Sequence, residues 1–147
     1  MAAIRRAEVT WQGDLGSGSG TVSASSSGAF NNLPVTWASR TERSDGRTSP
    51  EELIAAAHAS CYAMALSHGL GSAGTPPQKL DVSATVTFDN ASGGWKVTSS
   101  ALTVRGQVPG LDAAGFQQAA EAAKDGCPVS QALKGNVQLS VEATLEG

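Results

Sequence analysis

The sequence predicts an α+β fold, with mainly antiparallel strands and helices laid on them. Three observations predict it. Short stretches that alternate apolar and polar residues recur at both ends and in the middle of the chain. One long stretch, from Thr48 to Leu66, carries a helix-start signature. Two shorter helical stretches separate the last two strands, and strands, long helix, strand pair, helices, strand is an α+β order. The 147 residues suit a single domain over residues 1–147 with its own core. Aromatics make up only 5% of the chain against 40% for all hydrophobic residues, so Ala, Val and Leu must build that core.

The elements follow in order. Residues 7–12 alternate as a strand, residues 13–20 form a glycine- and serine-rich turn, and residues 21–23 begin the return strand. The glycines do not make a phosphate loop, because no Gly-Lys-Ser/Thr follows them and no helix opens there. Residues 33–37 give a third strand, and residues 40–47 a polar connection. Ser49 then suits a helix N-cap, Pro50 the first helical position, and Glu51 and Glu52 the positive end of the helix dipole. Leu53, Ile54, Ala57, Cys61, Met64 and Ala65 fall at i, i+3, i+4 spacing and predict one apolar face. The helix ends near Leu70 and Gly71, before Pro76 and Pro77. Residues 80–88 alternate strictly, Asn90 to Gly94 turn the chain, and residues 95–108 return it. Asp112 caps a second helix over residues 113–124, Cys127 and Pro128 open a short third one, and residues 137–145 are a final strand.

Composition excludes several functions. The net charge is −3, the isoelectric point is about 5.3, and no basic run occurs, which argues against nucleic acid and acidic membrane surfaces. No apolar run is long enough to span a bilayer. The first residues lack the apolar segment of a signal peptide, so a cytoplasmic location is expected. There, two cysteines are more often catalytic, redox-sensing or metal-binding than a structural staple. No Cys-x-x-Cys or His-x-x-x-His spacing supports a metal.

Local chemistry divides the two thiols. Cys127, just before Pro128, can occupy a helix N-cap, where N–H groups and dipole favour a thiolate. Cys61 sits in mid-helix and needs a cation from elsewhere. Arg40, Arg43, Arg47 and His58 are candidates, and His58 lies one turn before Cys61. The plainer role for His58 is that of a core or surface histidine.

The segment Thr48-Ser49-Pro50-Glu51-Glu52-Leu53-Ile54-Ala55-Ala56-Ala57-His58-Ala59-Ser60-Cys61, with Gly126-Cys127-Pro128-Val129-Ser130-Gln131-Ala132-Leu133-Lys134, resembles the osmotically inducible protein C family. Its sister group is the organic hydroperoxide resistance proteins. Trp11-Gln12-Gly13-Asp14 and Val108-Pro109-Gly110-Leu111-Asp112 fit the osmotically inducible branch better. The resemblance implies an intertwined homodimer with long central helices. It also implies cysteine-based reduction of organic hydroperoxides, and more weakly of hydrogen peroxide, in oxidative and osmotic stress defence. By resemblance Cys61 attacks the peroxide, Cys127 resolves the product as a disulfide, Arg40 supports the thiolate, and Glu51 orients Arg40. No cofactor is implied, and the reductant is a dithiol of a lipoylated protein. Two other classes stand beside this: a redox-responsive binding module without turnover, and a module whose cysteines form a structural bridge. Such a bridge would contribute about 4 kcal/mol in the chain-entropy model.

Overall fold

The structure is a computed structural model that describes residues 1–146. The chain divides into two compact units, Met1–Leu53 and Ile54 onward.

In the first unit β1 (Glu8–Gln12), β2 (Ser19–Ser23) and β3 (Leu33–Val35) form an antiparallel sheet in that order. The turn between β1 and β2 requires its glycines. Gly13 takes φ 90°, a left-handed conformation that side chains disfavour. A Cβ on Gly18 would collide with the Asp14 and Gln12 carbonyls. Asp14 completes the turn, its carboxylate accepting from the Ser17 N–H and hydroxyl at 2.8 and 2.6 Å.

The third strand is shorter than its sequence suggests, and the segment after it is not a plain connection. β3 stops at Val35, and α1 (Trp37–Thr41) follows. Thr36 and Ser39 cause this with a reciprocal capping box: Thr36 Oγ1 accepts from the Ser39 N–H, and Ser39 Oγ accepts from the Thr36 N–H, both at 3.0 Å. Arg40 therefore sits on a helix.

The long helix α2 (Pro50–Ser72) begins as expected, with Pro50 first and Ser49 Oγ accepting from the Glu52 N–H at 3.1 Å. Its buried face is not the expected one. His58, Tyr62, Leu66 and Leu70 point inward, whereas Ala57 is exposed and Met64 is 68% exposed. Alanines surround the helix, so apolar spacing does not single out one face. Two polar side chains, His58 and Tyr62, occupy the inner stripe because the second unit offers them partners.

In that unit β4 (Lys79–Ala91) and β5 (Gly94–Gln107) form a long antiparallel hairpin with a bulge at Thr87/Phe88. Leu80, Val82, Ala84, Val86 and Phe88 alternate with exposed polar residues along β4. The chain then runs through α3 (Ala113–Gly126) and α4 (Pro128–Leu133) to β6 (Gln138–Leu145). The Asp112 carboxylate caps α3, accepting from the Gly115 N–H at 2.8 Å. β6 pairs with β5 in parallel, giving the order β4-β5-β6. This is the one parallel pair among the described strands, and the helical crossover is long enough to allow it.

The core of this unit joins Tyr62, Leu66 and Leu70 of α2, Leu102 and Val104 of β5, and Phe116, Ala120 and Ala123 of α3. Tyr62 Oη donates to the Ala120 carbonyl at 2.9 Å. Gly106 gives Phe116 its place, since a Cβ there would lie 2.5 Å from the ring. Among the described residues no buried side-chain nitrogen or oxygen lacks a partner, and no helix is long and apolar enough to cross a membrane.

Gly106→Ala is expected to lower folding stability by about 1–3 kcal/mol, the usual range for overpacking. Phe116→Leu in the same chain should recover part of the loss by clearing the ring. Urea unfolding of the single and double variants measures both effects, and additive losses would mean that the two positions do not touch.

Candidate functional site: a thiol pair

Two groups of sequence-predicted site residues are each brought together, one in each unit. In the first unit Arg40, on α1, meets Glu51, the second residue of α2. Arg40 Nε donates to both Glu51 oxygens at 3.0 and 3.1 Å, and Nη2 donates to Oε2 at 2.9 Å. This bidentate fork is the strong form of the pair. The Glu51 side chain is only 8% exposed and needs such a partner, whereas the Arg40 side chain is 30% exposed. The Trp37 ring lies under the guanidinium, 5.8 Å from ring centre to Cζ. Arg43 reaches Asp45 at 3.8 Å with both side chains well exposed. The capping box after β3 turns Arg40 toward Glu51.

In the second unit Cys61 of α2 and Cys127, between α3 and α4, are free thiols close enough for one to act on the titration of the other. Their exposure does not follow from helix-end position alone. Cys127 does stand at the N-cap of α4, but its thiol makes no cap bond and is fully buried. The cap is its backbone, with the Cys127 carbonyl accepting from the Gln131 N–H at 3.0 Å. Cys61 is partly exposed, and the Val129 N–H in the first turn of α4 donates to its sulfur. The helix-terminal N–H expected to serve Cys127 thus serves Cys61.

Electrostatics at Cys61 are divided. Burial pushes its thiol above the ordinary cysteine range, the Val129 N–H pulls it down, and the neighbouring Cys127 thiol pushes it up again. Tyr62 is also raised, first by burial and then by Glu121 and Cys127.

Cys61 opens onto a cleft of about 790 Å³ between α2 and α3. Met64, Ala65, Ala119, Ala122 and Pro128 make its wall largely apolar, with His68 and Gln118 as polar members. That volume suits a small organic molecule.

His58 is a core histidine and is fully buried. Nδ1 bonds Ser100 Oγ on β5 at 2.6 Å, and Nε2 bonds Ser130 Oγ on α4 at 2.8 Å. Burial lowers its pKa below the ordinary 6.5, so the ring is neutral at pH 7. The sequence alone gives no role to Ser100, Ser130 or Tyr62. Ser130 lies within the Gly126–Lys134 segment that carries Cys127 and Pro128, the one signal that could have found it. Ser100 and Tyr62 carry no local signal. No group of three or more His, Cys, Asp or Glu residues placed to hold a metal occurs among the described residues.

Comparison with known proteins places these features. A family model described as OsmC-like protein matches residues 43–142. The chain is 43% identical over 142 residues to peroxiredoxin OsmC of Escherichia coli strain K12, covering 97% of this chain and 98% of the relative. Organic hydroperoxide resistance protein OhrB of Bacillus subtilis is 30% identical over 96 residues, covering 65% of this chain and 68% of the relative. The OhrB crystal structure superposes with a TM-score of 0.74 over 95% of this chain and 98% of that one, at 26% identity. An organic hydroperoxide resistance protein from Elizabethkingia anophelis superposes at 0.77 over 99% and 100%, at 24% identity, and supports the fold.

Two outcomes follow from this geometry. Arg40→Met leaves the buried Glu51 carboxylate without its donors and should lower stability by about 1–3 kcal/mol, with Arg40→Lys regaining only part because it lacks the fork. Thermal melts of the two variants check this, and equal melts for Met and wild type would refute it. His58 gives a pH effect of defined sign. Its folded pKa is depressed, so the unfolded chain binds a proton below about 6.5 before the folded chain does. Stability should therefore fall as pH drops through 6.5 toward the folded pKa, by at most about 1.4 kcal/mol per pH unit. Urea midpoints measured across this window should lose that component of the slope in His58→Gln.

Proposed function

The chain belongs to the OsmC-like protein family, and from that premise we propose that it is a cysteine-based peroxidase that reduces organic hydroperoxides, and hydrogen peroxide more weakly. Membership carries a peroxide-related redox role. The finer assignment rests on one observation: a partly exposed Cys61 thiol on an apolar cleft, beside a fully buried Cys127 thiol.

The Cys61 thiolate attacks the outer peroxide oxygen. The O–O bond breaks as the S–O bond forms, the sulfur loses two electrons, and the alkoxide takes a proton and leaves as the alcohol. Cys61 is then a sulfenic acid. Cys127 attacks that sulfur, its own proton departs with the hydroxyl as water, and a Cys61–Cys127 disulfide remains. An external dithiol, here a lipoylated protein, reduces the bridge by exchange. The chemistry needs no cofactor. The Val129 N–H supports the thiolate, and burial opposes it, so a cation is required. In this reading Arg40 supplies that charge and donates to the peroxide oxygens, while Glu51 fixes its fork.

The apolar cleft favours an alkyl or aryl peroxide over hydrogen peroxide. The two units act as one domain, which the family match across both supports. The working form is a homodimer. All five residues of β1 are exposed, Val9 by 61% and Trp11 by 39%, which suits cover by a second copy. Oxidative and osmotic stress defence in the cytoplasm is the setting of this reading.

The raised Cys61 pKa favours a second reading, a redox-responsive module that binds without turnover. Variants of the two thiols separate the readings. Cys61→Ser should abolish peroxide consumption. Cys127→Ser should consume about one peroxide per chain, leave a dimedone-trappable sulfenic acid on Cys61, and over-oxidise in excess peroxide. Mass spectrometry of trapped peptides locates the sulfenic acid, and finding it on Cys127 in Cys61→Ser would reverse the roles. Steady turnover with dihydrolipoyl donor, faster for an alkyl hydroperoxide than for hydrogen peroxide, supports the enzyme. A single oxidation without turnover supports the module.

A further inference from the structure

We propose that Ser130, held by His58, is a positioning residue that keeps Cys127 in place to close the disulfide on Cys61. The inference rests on the thiol-pair reading above and adds a part that reading does not use.

The imidazole bridges the elements that carry the two sulfurs. His58 lies on α2 three residues before Cys61, and Ser130 lies on α4 three residues after Cys127. Residues three apart share a helix face, so the His58–Ser130 bond ties α2 to α4 about one turn from each thiol. His58, Ser100, Ser130 and Cys127 are all at most 1% exposed, so water does not compete for these bonds. A neutral ring has one N–H and one lone pair. One serine therefore accepts from it and the other donates to it, and both nitrogens are satisfied.

Helix α4 needs such a tie. With six residues it is too short to be stable alone, so tertiary contacts must place it. Disulfide closure is demanding in geometry, requiring Cα atoms within about 4.4–6.8 Å and a restricted S–S torsion. In the closing step the Cys127 sulfur bonds to the Cys61 sulfur, the S–O bond breaks, and hydroxyl leaves with the Cys127 proton as water. The tie forms no bond to any of these atoms. It limits where Cys127 can go and so raises its effective concentration at the sulfenic acid. Ser100 serves as an internal control, because it anchors the same imidazole to β5, a strand that carries neither thiol.

Stopped-flow peroxide addition followed by timed thiol quenching separates the two steps. Ser130→Ala should consume the first peroxide equivalent at nearly the wild-type rate and close the disulfide at least about tenfold more slowly. Sulfinic acid on Cys61 should then appear at lower peroxide than in wild type. Ser100→Ala, matched for stability by urea unfolding, should close the disulfide near the wild-type rate, and Ser130→Thr should restore closure by restoring the hydroxyl. Wild-type closure rates in Ser130→Ala, or equal slowing in both alanine variants, overturn the inference while the thiol-pair reading stands. Absence of any Cys61–Cys127 disulfide in oxidised wild type overturns that reading first. If Ser130→Ala does not fold, His58→Gln and His58→Asn pose the same question. The longer amide reaches toward Ser130 and the shorter toward Ser100, so Gln should close faster, and equal rates overturn the inference.

Discussion

Helix α2 carries an imidazole and a phenol into the interior of the second unit, and much of that unit is arranged to satisfy them. A buried polar group without a hydrogen bond costs about 1–3 kcal/mol by mutational measures. His58 and Tyr62 escape that cost through Ser100, Ser130 and the Ala120 carbonyl. These partners come from β5, α4 and α3, so α2 is fixed to three other elements by directional bonds. An apolar stripe of alanines and leucines could slide by a turn, whereas a histidine shared by two buried serines cannot. The register of α2 decides that Cys61, rather than a neighbouring alanine, meets Cys127. Apolar packing of Leu66, Leu70, Leu102, Val104 and Phe116 supplies bulk stability, and the polar contacts supply uniqueness.

The same burial creates a tension at the thiols. Desolvation raises the Cys61 pKa and so removes the nucleophile that a peroxidase needs. The protein answers in part with the Val129 N–H, a neutral donor that helps without adding charge. A guanidinium would answer more strongly, and the Arg40–Glu51 fork shows how one can be kept oriented within a partly buried setting. Glu51 lowers the cost of placing Arg40 there. Full burial of Cys127 fits the resolving task proposed for it, which asks for a thiol inaccessible to peroxide.

Much of this was legible in the residues. Ser49-Pro50-Glu51-Glu52 marked the start of α2 because capping and dipole effects are local. The strands of the second unit followed from strict alternation, and Asp112 capped α3 as its position implies. What failed was non-local. Apolar spacing placed Met64 on the core face and left His58 undecided, since only Ser100 and Ser130, 42 and 72 residues away, make His58 an inner residue. The parallel pairing of β6 depends on how the α3–α4 crossover returns, which alternation does not encode. Helix-end reasoning alone was incomplete at Cys127 for the same reason. Its N-cap position was correct, but its thiol makes no cap bond.

The division of labour proposed for the two cysteines therefore follows from where each one faces rather than from the helix end each one occupies. Cys61 has a cleft on one side and a thiol on the other, so a substrate oxygen and a resolving sulfur can approach from different directions. Cys127 is fully buried in the core cluster that includes Tyr62 and Ala123, and Cys61 packs against that cluster. In the proposed mechanism an exposed attacker and an enclosed resolver make the order of events one-way. Peroxide would meet Cys61 first, and Cys127 would have nothing to attack until Cys61 had become electrophilic. That order protects the pair from over-oxidation only if closure is faster than a second peroxide encounter, which places the kinetic demand on the position of α4.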